Sequence, residues 1–131
     1  MFKIVMVDDD RVTLALLEKA LRRDDIQVFT ALDGLLGLTL VNQERPDLVI
    51  IDLLLPQIDG FDLCRRIKEN PLLPETKVIV MSAVYKGLYF KQDINQSGAD
   101  AFVAKPINIQ ELKAKVEGFL KGGGNRSPRQ G

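Results

Sequence analysis

The sequence predicts an α/β protein, a doubly wound layer built from five β/α repeats. Five short apolar runs, rich in Val, Ile and Phe, recur at Phe2–Val7, Ile26–Ala31, Leu48–Ile51, Val78–Met81 and Ala101–Ala104. They mostly lack strict polar alternation, as strands of a parallel sheet do when both faces are covered. Between them lie stretches with helical spacing of apolar residues, and right-handed crossovers then place helices on both faces of the sheet.

Taken in order, the first strand opens at Phe2 and ends before Asp8-Asp9-Asp10. Val12, Leu16, Leu17, Ala20 and Leu21 predict a first helix over roughly 11–23. After the second strand, Leu35, Leu36, Leu38, Thr39, Leu40 and Val41 predict another, near 34–43. Asp59 stands where an N-cap belongs, ahead of a third helix carrying Phe61, Leu63, Cys64 and Ile67. Pro71 and Pro74 end that helix and lead into the fourth strand. The region 84–98 reads as a fourth helix, weakened by Gly87 and capped by Gly98. The fifth strand leads to Asn108, an N-cap for a last helix bearing Ile109, Leu112, Val116, Phe119 and Leu120. From Gly122 onward no apolar side chain is available to pack, so residues 1–121 form the expected domain and 122–131 a flexible linker or tail.

Composition removes whole classes of function. A chain of 131 residues, 46% hydrophobic, suits one core and is too short for two. Eighteen Lys+Arg balance eighteen Asp+Glu, so no bulk attraction to nucleic acid or anionic lipid is expected. Cys64 is the only cysteine, which excludes an internal disulfide framework and a cysteine zinc site. It reads as a small buried apolar residue. With no histidine, His-dependent catalysis, two-His metal sites and a His phosphoacceptor are excluded too. Apolar runs stop well short of ~18 residues, and the N-terminus opens as a strand rather than a signal peptide. A soluble, cytoplasmic domain is expected, its chemistry resting on Asp, Glu, Lys, Ser, Thr and the backbone.

In open α/β sheets, ligands bind beyond the carboxyl ends of the strands, near the switch in strand order. There the sequence places Asp8, Asp9 and Asp10 after the first strand, Asp52 after the third, Ser82 after the fourth and Lys105 after the fifth. With the second strand at the sheet edge, the other four ends converge on one crevice. Carboxylates crowded there repel one another and need a counterion. An all-oxygen donor set suits a hard cation, Mg²⁺ first and Mn²⁺ or Ca²⁺ next. A divalent ion beside Asp and Lys is suited to phosphoryl transfer, which is mostly positioning and charge neutralisation, and an Asp carboxylate can itself be the nucleophile. Alone, Asp8-Asp9-Asp10 would read as a solvated helix start favoured by the dipole; Asp52 and Lys105 at neighbouring strand ends argue against that. Tyr85, Tyr89 and Phe90 read either as half-buried core or as a partner surface.

Four motifs, in order, resemble the signature set of bacterial two-component response-regulator receiver domains, the chemotaxis receiver among them. They are Val7-Asp8-Asp9-Asp10, the run from Ile51-Asp52 through Pro56 to Asp59-Gly60, Met81-Ser82-Ala83, and Phe102-Val103-Ala104-Lys105-Pro106. The resemblance covers about residues 2–121 and implies a flavodoxin-like parallel sheet of order 2-1-3-4-5. It implies a phosphoacceptor at Asp52, served by a sensor histidine kinase or a phosphotransfer protein, with Ser82 and Lys105 completing the catalytic set. It further implies Mg²⁺ held by Asp9, Asp52 and the Leu54 carbonyl, with Asp8 acting mainly through water. Ser82 matches the hydroxyl that moves to the phosphoryl group, Phe102 the aromatic switch residue, and Lys105–Pro106 a peptide bond that is usually cis. Asp10 is expected to point out of the site and Asp59 to cap a helix. The implied output is a face of the fourth helix, fifth strand and last helix, used for homodimerisation or for docking an output domain. Such a module catalyses its own phosphorylation and dephosphorylation and is not an enzyme in the usual sense.

Three departures matter. Ser82 stands where Thr is commoner and keeps the hydroxyl. Phe102 replaces the more familiar Tyr, so the switch ring has no hydroxyl to bond. Leu54 and Val84 are apolar at positions that tune dephosphorylation, which predicts a longer-lived phosphoryl form. Among rivals, a haloacid-dehalogenase-like hydrolase would need its nucleophile after the first strand and a cap domain. An FMN carrier would meet repulsion at Asp8-Asp9-Asp10 and lacks a Gly-rich phosphate loop. A phosphorylation-independent pseudo-receiver normally lacks one of the site residues, and none is lacking here.

Overall fold

The computed structural model describes residues 1–83 and 95–121, together with the backbone of the last helix as far as Gln130. Its strands are β1 (Phe2–Val7), β2 (Ile26–Ala31), β3 (Leu48–Asp52), β4 (Lys77–Ser82) and β5 (Ala101–Ala104). Between them run α1 (Arg11–Leu21), α2 (Gly34–Glu44) and α3 (Gly60–Lys68), and a C-terminal helix spans Ile109–Gln130. The five strands form one parallel sheet in the order β2-β1-β3-β4-β5, as the sequence predicts. β3 and β4 run one residue further than expected. Asp52 and Ser82 are therefore the last residues of their strands rather than the first beyond them.

The apolar runs of the inner strands follow from two-sided burial, while the edge strand β2 exposes Gln27 and Thr30. Ile4, Met6, Leu48, Ile50, Ile79 and Met81 face one side, beneath Leu14, Leu17 and Leu21 of α1 and Leu112, Val116 and Leu120 of the C-terminal helix. Val5, Val7, Val49, Ile51, Val78 and Val80 face the other, beneath Val41 of α2 and Leu63, Cys64 and Ile67 of α3. Each such side chain contributes about 1.5–3 kcal/mol relative to exposure. Cys64 is buried as predicted, its thiol donating to the Ser97 carbonyl at 3.4 Å. Burial pushes that thiol up to about 11, so it is inert at neutral pH.

Asp10, Asp33 and Asp59 cap α1, α2 and α3 by accepting from the backbone N–H of Val12, Leu36 and Phe61. Asn108 does the same for the C-terminal helix, accepting from Glu111 N at 3.0 Å. Gly98 takes φ 80°, the left-handed conformation expected of it.

At the amino edge of the sheet, the loops are tied to one another across the strands. Phe2 N donates to Asp25 O at 2.8 Å, and Lys3 N to the Asp47 carboxylate at 2.8 Å. Lys77 N donates to Asp47 O at 3.0 Å, and the Thr76 hydroxyl to Pro46 O at 2.7 Å. Asp100 Oδ2 accepts from both Val78 N and Lys68 Nζ at 2.8 Å.

Residues 84–94, which carry most of the expected fourth helix together with Val84, Gly87 and the aromatic group Tyr85, Tyr89 and Phe90, lie outside the described residues. The backbone of the C-terminal helix continues past Lys121, where the sequence expects the domain to end. The side chains of the expected linker, 122–131, lie outside the described residues. No helix among the described residues is long and apolar enough to cross a membrane.

Candidate functional site: an acidic crevice at the carboxyl edge

The level ends of β1, β3, β4 and β5 bring four predicted residues together. Asp8 follows β1 and is fully buried, 0% exposed. Its backbone N–H donates to Ala31 O, its Oδ1 accepts from Asp10 N at 2.9 Å, and its Oδ2 accepts from Lys105 Nζ at 3.0 Å. Asp52, 6% exposed, closes β3. Its Oδ2 accepts from the same ammonium at 3.2 Å, and its Oδ1 takes a long 3.4 Å bond from Leu54 N. Lys105 is placed by its own backbone, whose N–H donates to Ser82 O at 2.9 Å and so ties the end of β5 to the end of β4. The Lys105–Pro106 bond is cis, as the resemblance implies.

Asp9 is exposed, yet its carboxylate belongs to the same cluster. One oxygen from each of Asp8, Asp9 and Asp52 lies within 4.8 Å of the others. Hard cations bind oxygen at about 2.0–2.6 Å, so donors at this spacing can share one ion. The all-oxygen set, with no sulfur or imidazole, fits Mg²⁺.

Burial raises the Asp52 carboxyl above its ordinary value, and the charge of Asp8 raises it further, against a smaller opposing pull from Lys105. Burial pulls the Lys105 ammonium down, but its hydrogen bond to Asp8 and the charges of Asp52 and Asp8 outweigh that and hold it above the usual lysine range. Lys105 is therefore a permanent cation, one positive charge set against three carboxylates.

The remaining predicted residues lie around this cluster or beyond it. Asp10 points away from the cluster, accepting from Val12 N at 3.0 Å and the Thr13 hydroxyl at 2.8 Å; these bonds, the hydroxyl's first, hold it below the ordinary carboxylate range. Asp59 is occupied as a cap, 2.7 Å from Phe61 N. Ser82 is buried at the end of β4, opposite Ala104. Phe102 is half-buried on β5, against the cluster beneath α2 and α3. Leu54 is 63% exposed, an apolar side chain two residues beyond Asp52.

Sequence reasoning missed what shapes the loop after Asp52. Ile58 N donates to Pro56 O at 2.8 Å, and Gln57 between them sits at φ 72°. This is a γ-turn of the strained hand. Gly60 then closes the loop: a Cβ there would lie 2.5 Å from Leu53 Cα and 2.6 Å from Asp52 O. The Pro56 and Asp59-Gly60 turn signals were present in the sequence; the close approach of backbone to backbone was not.

The family model for the response regulator receiver domain matches residues 4–117. The chain belongs to that family. As a receiver domain it is a signalling module of two-component systems. It is 36% identical over 124 residues to a transcriptional regulatory protein of Streptomyces coelicolor, AfsQ1, covering 95% of this chain and 53% of that one. It is 33% identical over 118 residues to sporulation initiation phosphotransferase F of Bacillus subtilis, covering 90% and 93% respectively. Among solved structures, the beryllofluoride-activated DrrB receiver domain superposes with a TM-score of 0.82 at 35% identity, covering 92% of this chain and 98% of that one. The receiver domain spans about half the length of the first of these curated relatives.

Proposed function

We propose that this receiver domain accepts a phosphoryl group on Asp52 from a sensor histidine kinase or phosphotransfer protein, and that the new charge switches an output surface. The observation that carries the reading is a single ammonium, Lys105 Nζ, bonded at once to buried Asp8 and to Asp52, at 3.0 and 3.2 Å. A carboxylate oxygen of Asp52 attacks the phosphorus of the donor's phosphohistidine. The P–N bond breaks, its electron pair stays on the imidazole, and an acyl phosphate forms.

Asp9, Asp52 and the Leu54 carbonyl would hold Mg²⁺, with Asp8 acting mainly through water; Mn²⁺ suits the same donors. Bound there, the ion would neutralise charge on the transferring oxygens. Lys105 pairs with a second oxygen of the phosphoryl group, and the Ser82 hydroxyl donates to a third. Phe102 follows into the space that Ser82 leaves. The face of β5 and the C-terminal helix, with the segment 84–98, then serves homodimerisation or an output domain, and residues 122–131 serve as linker. Hydrolysis reverses the charge: water attacks phosphorus, the O–P bond breaks, and its electrons return to Asp52. Leu54 offers that water no polar group, which favours a long-lived phosphoryl form.

The test is incubation with Mg²⁺ and acetyl phosphate, followed by intact-mass measurement. An acid-stable, base-labile phosphoryl adduct is expected, absent in Asp52→Asn. Full labelling of Asp52→Asn would overturn the assignment.

A further inference from the structure

The buried face of α2 consists of Gly34, Gly37 and Val41. Neither glycine has a positive φ, so backbone conformation does not require them. Inside a helix, glycine is less stable than alanine. What they provide is space. A Cβ at Gly37 would lie 2.7 Å from Val7 Cγ2 and 3.1 Å from Val7 Cγ1. Val7 is fully buried at the end of β1, an interior strand, paired with Ala31 on one side and Ile51 on the other, and it directly precedes Asp8. One turn earlier, a Cβ at Gly34 would lie 2.9 Å from Ile58 Cβ and 3.2 Å from Ile58 O. Ile58 belongs to the loop that follows Asp52. One helix thus rests, without an intervening side chain, on a neighbour of each acidic strand end. By contrast, a Cβ on Gly118 in the C-terminal helix would meet nothing within 4 Å.

We propose that Gly37 is a positioning residue of the acidic site: its missing methyl seats α2 on Val7 and so fixes Asp8 and Asp9 relative to Asp52. The proposal rests on the function proposed above only in its Mg²⁺ readout. A methyl at position 37 cannot be absorbed by Val7, whose strand is held on both sides, so either the helix lifts or the end of β1 twists. A twist of β1 moves Asp8 and Asp9 directly, and a lifted helix withdraws Gly34 from Ile58 and so loosens the loop that follows Asp52.

The test compares the full chain with Gly37→Ala, Val7→Ala, Val7→Ala/Gly37→Ala and Gly118→Ala, using amide NMR spectra without metal and then a Mg²⁺ titration. Gly37→Ala is expected to move the Asp8 and Asp9 resonances and to weaken Mg²⁺ binding about tenfold, the scale on which supports of metal ligands act. The double variant, which returns the lost volume, is expected to match Val7→Ala alone in its Asp8 and Asp9 resonances and to regain most of the affinity. Gly118→Ala is expected to change neither. Unmoved Asp8 and Asp9 resonances in Gly37→Ala, or a double variant that restores nothing, would overturn the proposal. A wild type that ignores Mg²⁺ would refute the proposed function instead, and the metal-free resonances would still decide the positioning role. If Gly37→Ala does not fold, a folded double variant with the Asp8 and Asp9 resonances of Val7→Ala supports the proposal, and an unfolded one overturns it.

Discussion

Removing the ammonium of Lys105 exposes how much of the metal-free site depends on it. In Lys105→Met the aliphatic stem stays and the charge goes. Asp8 keeps its 2.9 Å bond from Asp10 N, and Asp52 keeps, among the described residues, the 3.4 Å bond from Leu54 N. Two carboxylates, 0% and 6% exposed, then lose the ammonium they share. Breaking a buried pair by removing one partner costs about 3–5 kcal/mol. The Lys105 side chain is 22% exposed, so water recovers part of this and ~2–3 kcal/mol is expected. At ~4 °C per kcal/mol for a domain of this size, the melting temperature falls by ~8–12 °C. The assay is thermal melting by circular dichroism in EDTA, at pH 7.5 and pH 5. Asp52 already has a raised folded pKa, caused by burial first and Asp8 second. Its contribution to stability is present below its unfolded value and is lost as pH rises through the folded one. Without Lys105 that folded value climbs further, so the deficit should be widest at pH 7.5 and shrink at pH 5. Lys105→Met/Asp52→Asn should recover more than half of the loss. A deficit below ~0.5 kcal/mol, or one independent of pH, would refute the reasoning.

Three further outcomes are expected. Asp52→Asn should melt a few degrees above wild type in EDTA at pH 7.5, because the ionised side chain opposes folding above its raised folded pKa; the gain should vanish towards pH 4, and a lower melting point at pH 7.5 would contradict the sign. Mg²⁺ at a hundred times its Kd should stabilise wild type by ~2.7 kcal/mol through mass action, and Asp9→Asn far less; equal gains would remove Asp9 from the cluster. Gly60→Ala sets a methyl against the Leu53 and Asp52 backbone, which cannot rotate away, so urea unfolding should register a loss of ~2–3 kcal/mol.

The parts legible in the sequence were those written in periodicity and caps. Continuous apolar runs such as Val49-Ile50-Ile51 announced strands covered on both faces, and Asp59 and Asn108 marked helix starts that the structure keeps. Asp8, Asp9, Asp52 and Lys105 were found because each follows or ends a strand, and parallel strands end on one side. Distances across the sheet were not legible. Nothing in the string says that one ammonium serves both Asp8 and Asp52, or that Asp8 is sealed while Asp9 is open. The glycines of α2 carried no signal either, because their role is to leave room for Val7 and Ile58, residues far away in sequence. The extra residue on β3 and on β4 reflects ladder pairing, Asp52 with Met81 and Ser82 with Ala104, which apolar character alone does not report.

The ties between loops at the amino edge of the sheet divide labour along every strand. Strand register is anchored where Asp47, Thr76 and Asp100 lace one loop to the next, some strand-length away from the carboxylates. Strand register and reactivity are therefore anchored at opposite ends of the sheet. A change at the carboxyl edge, even one that costs stability as Lys105→Met does, leaves the hydrogen bonds that set the register in place. The same architecture can thus be retuned in timing and recognition by rewriting a few loop residues, while the laced edge goes on supplying the fold.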